Sequence, residues 1–378
     1  MAGTRFIFGC IFSFATVFFS WLGAQPAQAS CGSVTCFVVI GSQQQVSPAG
    51  VLTVNGFYNY TRQGTLLNGT SGVIPAVNVD NRQLILGHHR ELKTISQTFT
   101  LDLNYGVTDR LGIEVAVPYL RRKHQHLDGL GEVNNGDGAL TSFSDNGIGD
   151  IFINAKYNVL PSLSSMLVAG FGVYVPTGDH NQKTAGVGTV AETMEPSAQL
   201  GRGQFGLQGS FYQTYEIIPH RVSQFSSGSY RHTFRNNFGY QFGDQFDFSF
   251  GASIVPSESV SWLVLVNQFN YRYMVHDSFS GSLAQSLTSN DSGFPGEATV
   301  LDPTIKNRAV PTTGSTYFAY SPGFQIGLGE LVKSSLTEGV SAYFYAQIPV
   351  ARDFNGNLAQ STSFIFGVTK SFQLVKPS

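Results

Sequence analysis

The chain has 378 residues, a formal net charge of −2 and 12 % charged side chains, about half the share found in soluble globular proteins. Glycine (42), phenylalanine (31) and tyrosine (16) are plentiful instead, so the polar half is mostly uncharged. Such a balance excludes nucleic-acid or acidic-partner binding driven by bulk charge, and no stretch after residue 23 is long and apolar enough for a spanning helix.

The first residues read as a secretory signal. Arg5 supplies the positive start, Phe6 to Leu22 are apolar, and Ala27-Gln28-Ala29 forms an A-x-A site, which predicts a signal peptide over 1–29. A lipoprotein with Cys31 acylated is the weaker reading, because Gln28 stands where such signals carry an aliphatic side chain. Once Cys10 leaves with the signal, Cys31 and Cys36 remain, and in an exported chain they most simply form one local disulfide. Two thiolates alone do not complete a tetrahedral metal site. Residues 30–50 lack a pattern and are expected to be a periplasmic or lumen-inserted segment.

The first predicted strand is Val51 to Thr61, followed by a long polar stretch, 62–96. The segment 97–123 then defines the repeat. Phe99, Leu101, Leu103, Tyr105 and Val107 alternate with Thr100, Asp102 and Asn104; past a short turn, Ile113, Val115, Val117 and Tyr119 alternate with Glu114 and Ala116. A period of two with one apolar face marks a strand, and each arm has the roughly ten residues that a tilted strand needs to cross a bilayer. After the loop 124–147, residues 149–160 alternate again, with Asn154 and Lys156 on the polar face. Strands are expected at 166–176 and 203–216, while 217–231 reads as either a long turn or a turn plus one short strand and is left out of the strand count. The alternation of Phe234, Phe238, Tyr240 and Phe242 against Arg235, Asn237 and Gln241 predicts a strand there. Strands at 245–254, 260–273, 315–328, 338–349 and 360–373 complete the set, with Pro322 as a blemish inside one of them. The prediction is an all-β, closed antiparallel transmembrane barrel over 51–374, of about twelve strands within roughly ten to fourteen, and a tail at 375–378. With the N-terminus in the periplasm, the long segments 62–96, 124–148, 177–202 and 274–314 are expected outside the cell and the stretches 108–110, 161–165, 256–258 and 329–337 in the periplasm.

Several stretches carry a resemblance. They are Tyr105-Gly106-Val107-Thr108-Asp109-Arg110, the strand end Pro118-Tyr119, Gly147-Ile148-Gly149-Asp150, Pro176-Thr177-Gly178-Asp179 and Tyr240-Gln241-Phe242-Gly243-Asp244. Together they resemble the bacterial outer-membrane β-barrels of the meta-pathway phenol-degradation (MetA-like) transporter family, over roughly residues 95 to 374. The resemblance implies a channel or uptake protein for small, aromatic molecules. Members end at or near a terminal aromatic strand; here Phe364, Phe366 and Phe372 are followed by Leu374 to Ser378.

Candidate chemistry is sparse. Gly201-Arg202-Gly203-Gln204-Phe205-Gly206 matches a dinucleotide fingerprint, but a strand follows it where that site needs a helix. Neither G-x-S-x-G nor H-E-x-x-H occurs, and His232 near Ser227 and Ser229 is the one hint of a membrane-embedded hydrolase. No enzyme and no cofactor are predicted. Clustered histidines are the sharpest local feature: His88 and His89 precede one arm of the opening hairpin and His124 and His126 follow the other, so with Glu91 they could share one mouth and bind zinc or copper. As solvated rim residues they need no metal. By alternation Asp102, Asn104, Glu114, Asn154, Lys156, Arg235, Asn237 and Asp247 face the lumen, with both charge signs present. The sequons at Asn59, Asn68 and Asn290 carry no meaning in a bacterial protein. The expected function is passive passage of small, aromatic or hydrophobic solutes, with the lipid bilayer and the outer-membrane insertion machinery as partners; the rival is a plugged surface-binding barrel.

Overall fold

The computed structural model describes residues 45–69, 71–72, 90–128, 134–162, 164–185, 191–193, 199–237, 239–279, 313–332, 334 and 337–375. Twelve staves form the wall: β1 Val51–Gly69, β2 Arg90–Gly106, β3 Leu111–Asp128, β4 in two pieces (Ala139–Ile148 and Ile151–Pro161), β5 Ser165–Val175, β6 Gly206–Ile218, β7 Val222–Thr233, β8 Gln245–Ile254, β9 Leu263–Met274, β10 Ser315–Gly327, β11 Val340–Gln360 and β12 Ser363–Gln373. Each stave pairs antiparallel with the next, and β12 returns to β1 from Val51↔Gln373 to Tyr60↔Phe364, so no edge is left open. The closure is reinforced at both ends. Beyond the reach of β12, β11 itself pairs β1 from Gln63↔Gln360 to Gly69↔Phe354, and at the other end the amides of Leu374 and Val375 donate to the Gly50 carbonyl.

One end of the barrel holds tight connections such as 107–110, 162–164 and 219–221; the other holds the long ones, 176–205 and 275–314 among them, together with the two-residue turn 361–362. Side chains alternate as a half-wet strand requires. In β8, Gln245, Asp247 and Ser249 are buried inside while Phe246, Phe248 and Phe250 stand exposed outside. The outer face of β12 repeats this with Phe364, Phe366 (53 % exposed) and Val368. Neighbouring outer rings touch across staves, Phe250 on Phe269 at 5.3 Å and Phe269 on Phe318 at 5.8 Å, forming cross-strand ladders. A continuous aromatic exterior this large is unstable in water and suits a bilayer.

Two expectations need correction. The seventh stave is Val222–Thr233, a full strand where the sequence left a long turn or a turn plus one short strand and counted none, whereas 234–237 and 239–242 are loop apart from a short ladder, Tyr240–Gln241 with Ser278–Phe279. The strand expected over 338–349 continues to Gln360, and β1, β2 and β3 likewise run past their expected ends. Around Pro322 the ladder to β11 skips Ser321 and Pro322 and carries a shift between Phe318 and Ala319, which accommodates the missing N–H.

Candidate functional site

Among the described residues, the interior of the wall is where polar and charged groups are gathered out of water. Asp102 and Asn104 on β2, Glu114 on β3, Asn154 and Lys156 on β4 and Asp247 on β8 all turn inward. Arg235 and Asn237 do not share that wall. Arg235 lies on the loop after β7, donating to the Gly239 carbonyl (2.7 Å), Gln241 Oε1 and Ser278 Oγ, and Asn237 is exposed beside it.

Two charged groupings line the bore. On the β2–β4 side Lys156 Nζ is 3.3 Å from Glu114 Oε2, which also accepts a hydrogen bond from Asn154 Nδ2 at 3.0 Å. On the β7–β9 side Arg272 Nε donates to Asp247 Oδ1 at 2.9 Å, and Gln245 Nε2 donates to its other oxygen at 2.6 Å. Arg231 lies 3.4 Å over the Tyr174 ring, whose hydroxyl donates to Gln208 Oε1 and whose other neighbour is the stacked Phe152. Arg272 was open to the same alternation that placed Asp247, since it sits between Tyr271 and Tyr273. Arg231 had no such signal, because its stave was left out of the strand count.

Toward the tight-turn end the lining changes character. Val168, Phe225, Val266 and Tyr343 are each the fourth residue of β5, β7, β9 and β11, and all are buried inward. With Tyr212, Tyr345 and Ile365 they form one cluster, and Val46 packs against it. The segment 45–50 enters here. Asn104 Nδ2 donates to the Gln45 carbonyl at 3.2 Å and Ser47 Oγ to the Asn104 carbonyl at 3.3 Å. Gly106 permits this approach, because a Cβ there would overlap the carbonyl oxygens of Ser47 and Pro48. A smaller apolar cluster, Leu67, Tyr317, Ala319, Phe354 and Ala359, lies in the overhang shared by β1, β10 and β11.

The long-loop mouth is narrowed by residues 199–205. Arg122 Nη1 on β3 donates to the Gln199 carbonyl at 2.8 Å, Arg202 Nη1 reaches Thr233 Oγ1 on β7 at 2.8 Å, and the Asp150 carboxylate at the break in β4 accepts from the backbone amides of Gly178 and Arg202. Burial pulls the Arg202 guanidinium down to about 9, with the charge of Arg231 adding to the effect, so it stays protonated at neutral pH. On the adjoining loop, burial raises the Asp277 carboxyl against the opposing hydrogen bonds from Gly243 N–H and the Tyr240 hydroxyl.

Of the histidines, His124 and His126 point inward on β3 and meet Glu91; His88, His89, Cys31 and Cys36 fall outside the described residues. His232 turns to the outer face, where its Nδ1 lies 2.7 Å from Asp244 Oδ1, whereas Ser227 is buried inside and Ser229 shares its inward parity. Those serines and that histidine therefore do not meet. In the G-x-G-x-x-G segment Gly206 opens β6, a strand, and no helix follows.

The family described as "Putative MetA-pathway of phenol degradation" matches residues 91–306, more than half of the chain. The chain belongs to that family. The match of this MetA-pathway member begins at the Glu91 end of β2, a few residues before the motifs of the opening hairpin. Among solved structures it is similar to an outer membrane channel from Pseudomonas putida F1, at 11 % identity and a TM-score of 0.55, covering 89 % of this chain and 100 % of that one. The beta domain of the Bordetella autotransporter Brka (12 % identity, TM-score 0.41, covering 85 % of this chain and 100 % of that one) and a Pseudomonas aeruginosa FadL homologue (10 % identity, TM-score 0.38, covering 86 % and 90 %) also align. At such identities the likeness is one of fold, and the fold is the outer-membrane barrel. No curated protein matches the chain in sequence.

Proposed function

We propose that this protein is an outer-membrane channel for passive passage of small aromatic or hydrophobic solutes and carries out no covalent chemistry. The observation that carries the reading is the mixed lining of one lumen: ion-paired polar groups on its wall together with an apolar cluster of tyrosine, phenylalanine, valine and isoleucine toward the tight-turn end, where residues 45–48 enter. A general porin keeps its interior polar and full of water. An apolar throat repels ions by dewetting and favours uncharged, apolar solutes. The signal at 1–29, export through the periplasm, delivery by the insertion machinery and a periplasmic location for the tight-turn end all follow from this reading. Residues 30–50 then act as a plug entering from the periplasm.

Single-channel recording of the refolded protein tests it. The intact chain should conduct ions weakly, deletion of residues 30–48 should raise conductance several-fold, and an added monoaromatic solute should block the enlarged current. If neither form conducts although both shift in gel mobility on boiling, the barrel is closed and the plugged surface-binding protein takes the place of the channel.

A further inference from the structure

At the long-loop mouth, away from the throat, three metal-ligating side chains converge. His124 Nε2 lies 2.8 Å from Glu91 Oε2 and 3.1 Å from His126 Nδ1, and one ligand atom from each residue falls within 4.8 Å of the others. His124 and Glu91 are almost wholly buried, at 2 % and 8 % exposure. A local irregularity makes the meeting possible. Inward positions on β2 are even-numbered through Thr94, Ser96, Thr100 and Asp102, so Glu91 would face outward by alternation. The register shift between Glu91 and Lys93 changes that parity, setting Glu91 opposite His126 and Thr94 opposite His124 on the inner face.

The rings are also held. Thr94 Oγ1 lies 2.8 Å from His124 Nδ1, and Phe143 of β4 packs on His124 at 4.8 Å and His126 at 6.1 Å between ring centroids. Engagement of Nδ1 by a hydroxyl is an outer-sphere contact of the kind that orients a ligating imidazole. A cation placed among the three ligand atoms would attract all of them at once. Ligand atoms around a tetrahedral zinc ion sit about 3.3 Å apart, close to the two short separations here.

We infer that Glu91, His124 and His126 form a site for one divalent metal ion of the zinc class at the long-loop mouth of the lumen. Two imidazoles and a carboxylate are a borderline nitrogen and oxygen set, matched to zinc or copper and poor for calcium or magnesium. The fourth position is left for water or a further ligand. A bound ion ties the far ends of β2 and β3 together where the two staves project above the bilayer. The inference does not rest on conduction, since binding is read directly.

The test is titration of the refolded, heat-modifiable full chain with zinc chloride in competition with a chelating dye, together with cobalt substitution. One zinc per chain is expected. His126→Ala and Glu91→Gln should each weaken binding at least tenfold, while His232→Ala on the outer face leaves it unchanged. Cobalt in the wild-type chain should give the visible absorption of a four-coordinate ion, a readout that needs no variant to fold. No stoichiometric zinc in the wild-type chain, cobalt that keeps the spectrum of its aqua ion, or full affinity in a His124→Ala/His126→Ala chain would each overturn the site.

Discussion

The long-loop half of the lumen and its tight-turn throat are built on the same alternation by opposite means. In the long-loop half, β8 and β9 bury Asp247 against Arg272 at 2.9 Å, so each inward group needs a partner of opposite sign. In the throat, Phe225, Val266 and Tyr343 need only shape, and the Tyr343 hydroxyl settles on Asn55 Oδ1 at 2.9 Å. Electrostatic pairing tolerates no loss of one member, whereas an apolar cluster loses energy in proportion to the volume removed.

That difference can be broken first at the ion pair. Arg272→Met leaves Asp247 buried without its guanidinium and should lower the unfolding free energy in urea by about 3–5 kcal/mol. Adding Asp247→Leu should recover most of it, an outcome no throat pair can imitate. In the throat, Phe225→Ala should cost about 3 kcal/mol through the cavity it opens, and a second substitution at Tyr343 should add to that cost rather than reverse it. Lys156→Glu would place three acids, with Asp102 and Glu114, on one wall; in the chain lacking residues 30–48 the reversal potential should move toward cation preference. The smallest effect belongs to Arg235→Ala. Its hydrogen bonds fasten a loop, so about 1 kcal/mol of stability should go and ion selectivity should stay as it was. A selectivity change equal to that of Lys156→Glu would return Arg235 to the lumen.

The misplacement of Arg235 shows what alternation reports. Tyr240 and Phe242 recur with period two because they are buried under their own loop, where the Tyr240 hydroxyl bonds Asp277, and not because they face lipid. The true stave, β7, hides its membrane face. Gln224 and Ser226 point outward and satisfy themselves on Gln213 Oε1 of β6, while Gly228 is covered by the Phe211 ring of that neighbour. A stave covered by its partner's side chain has no apolar period of its own. The staves that meet lipid with their own rings, such as β8 and β12, were legible almost to their ends. For the same reason the inward faces of β2, β3 and β4 were open to reading, but the turn of Glu91 toward His126 was not, because a one-residue bulge has no compositional mark in Arg90-Glu91-Leu92-Lys93.

The seam between the first and last staves has one more implication. Gly50 accepts hydrogen bonds from Leu374 and Val375, so the beginning and the end of the barrel's chain stand side by side. Considered as a closed loop of staves, the structure distinguishes no first strand. A peptide linking residue 375 to residue 50, with new termini opened in the 219–221 turn, would preserve every pair of neighbours around the ring. Such a rearranged chain would separate the order of synthesis from the order of the staves, and so report whether assembly in the membrane depends on which hairpin emerges last.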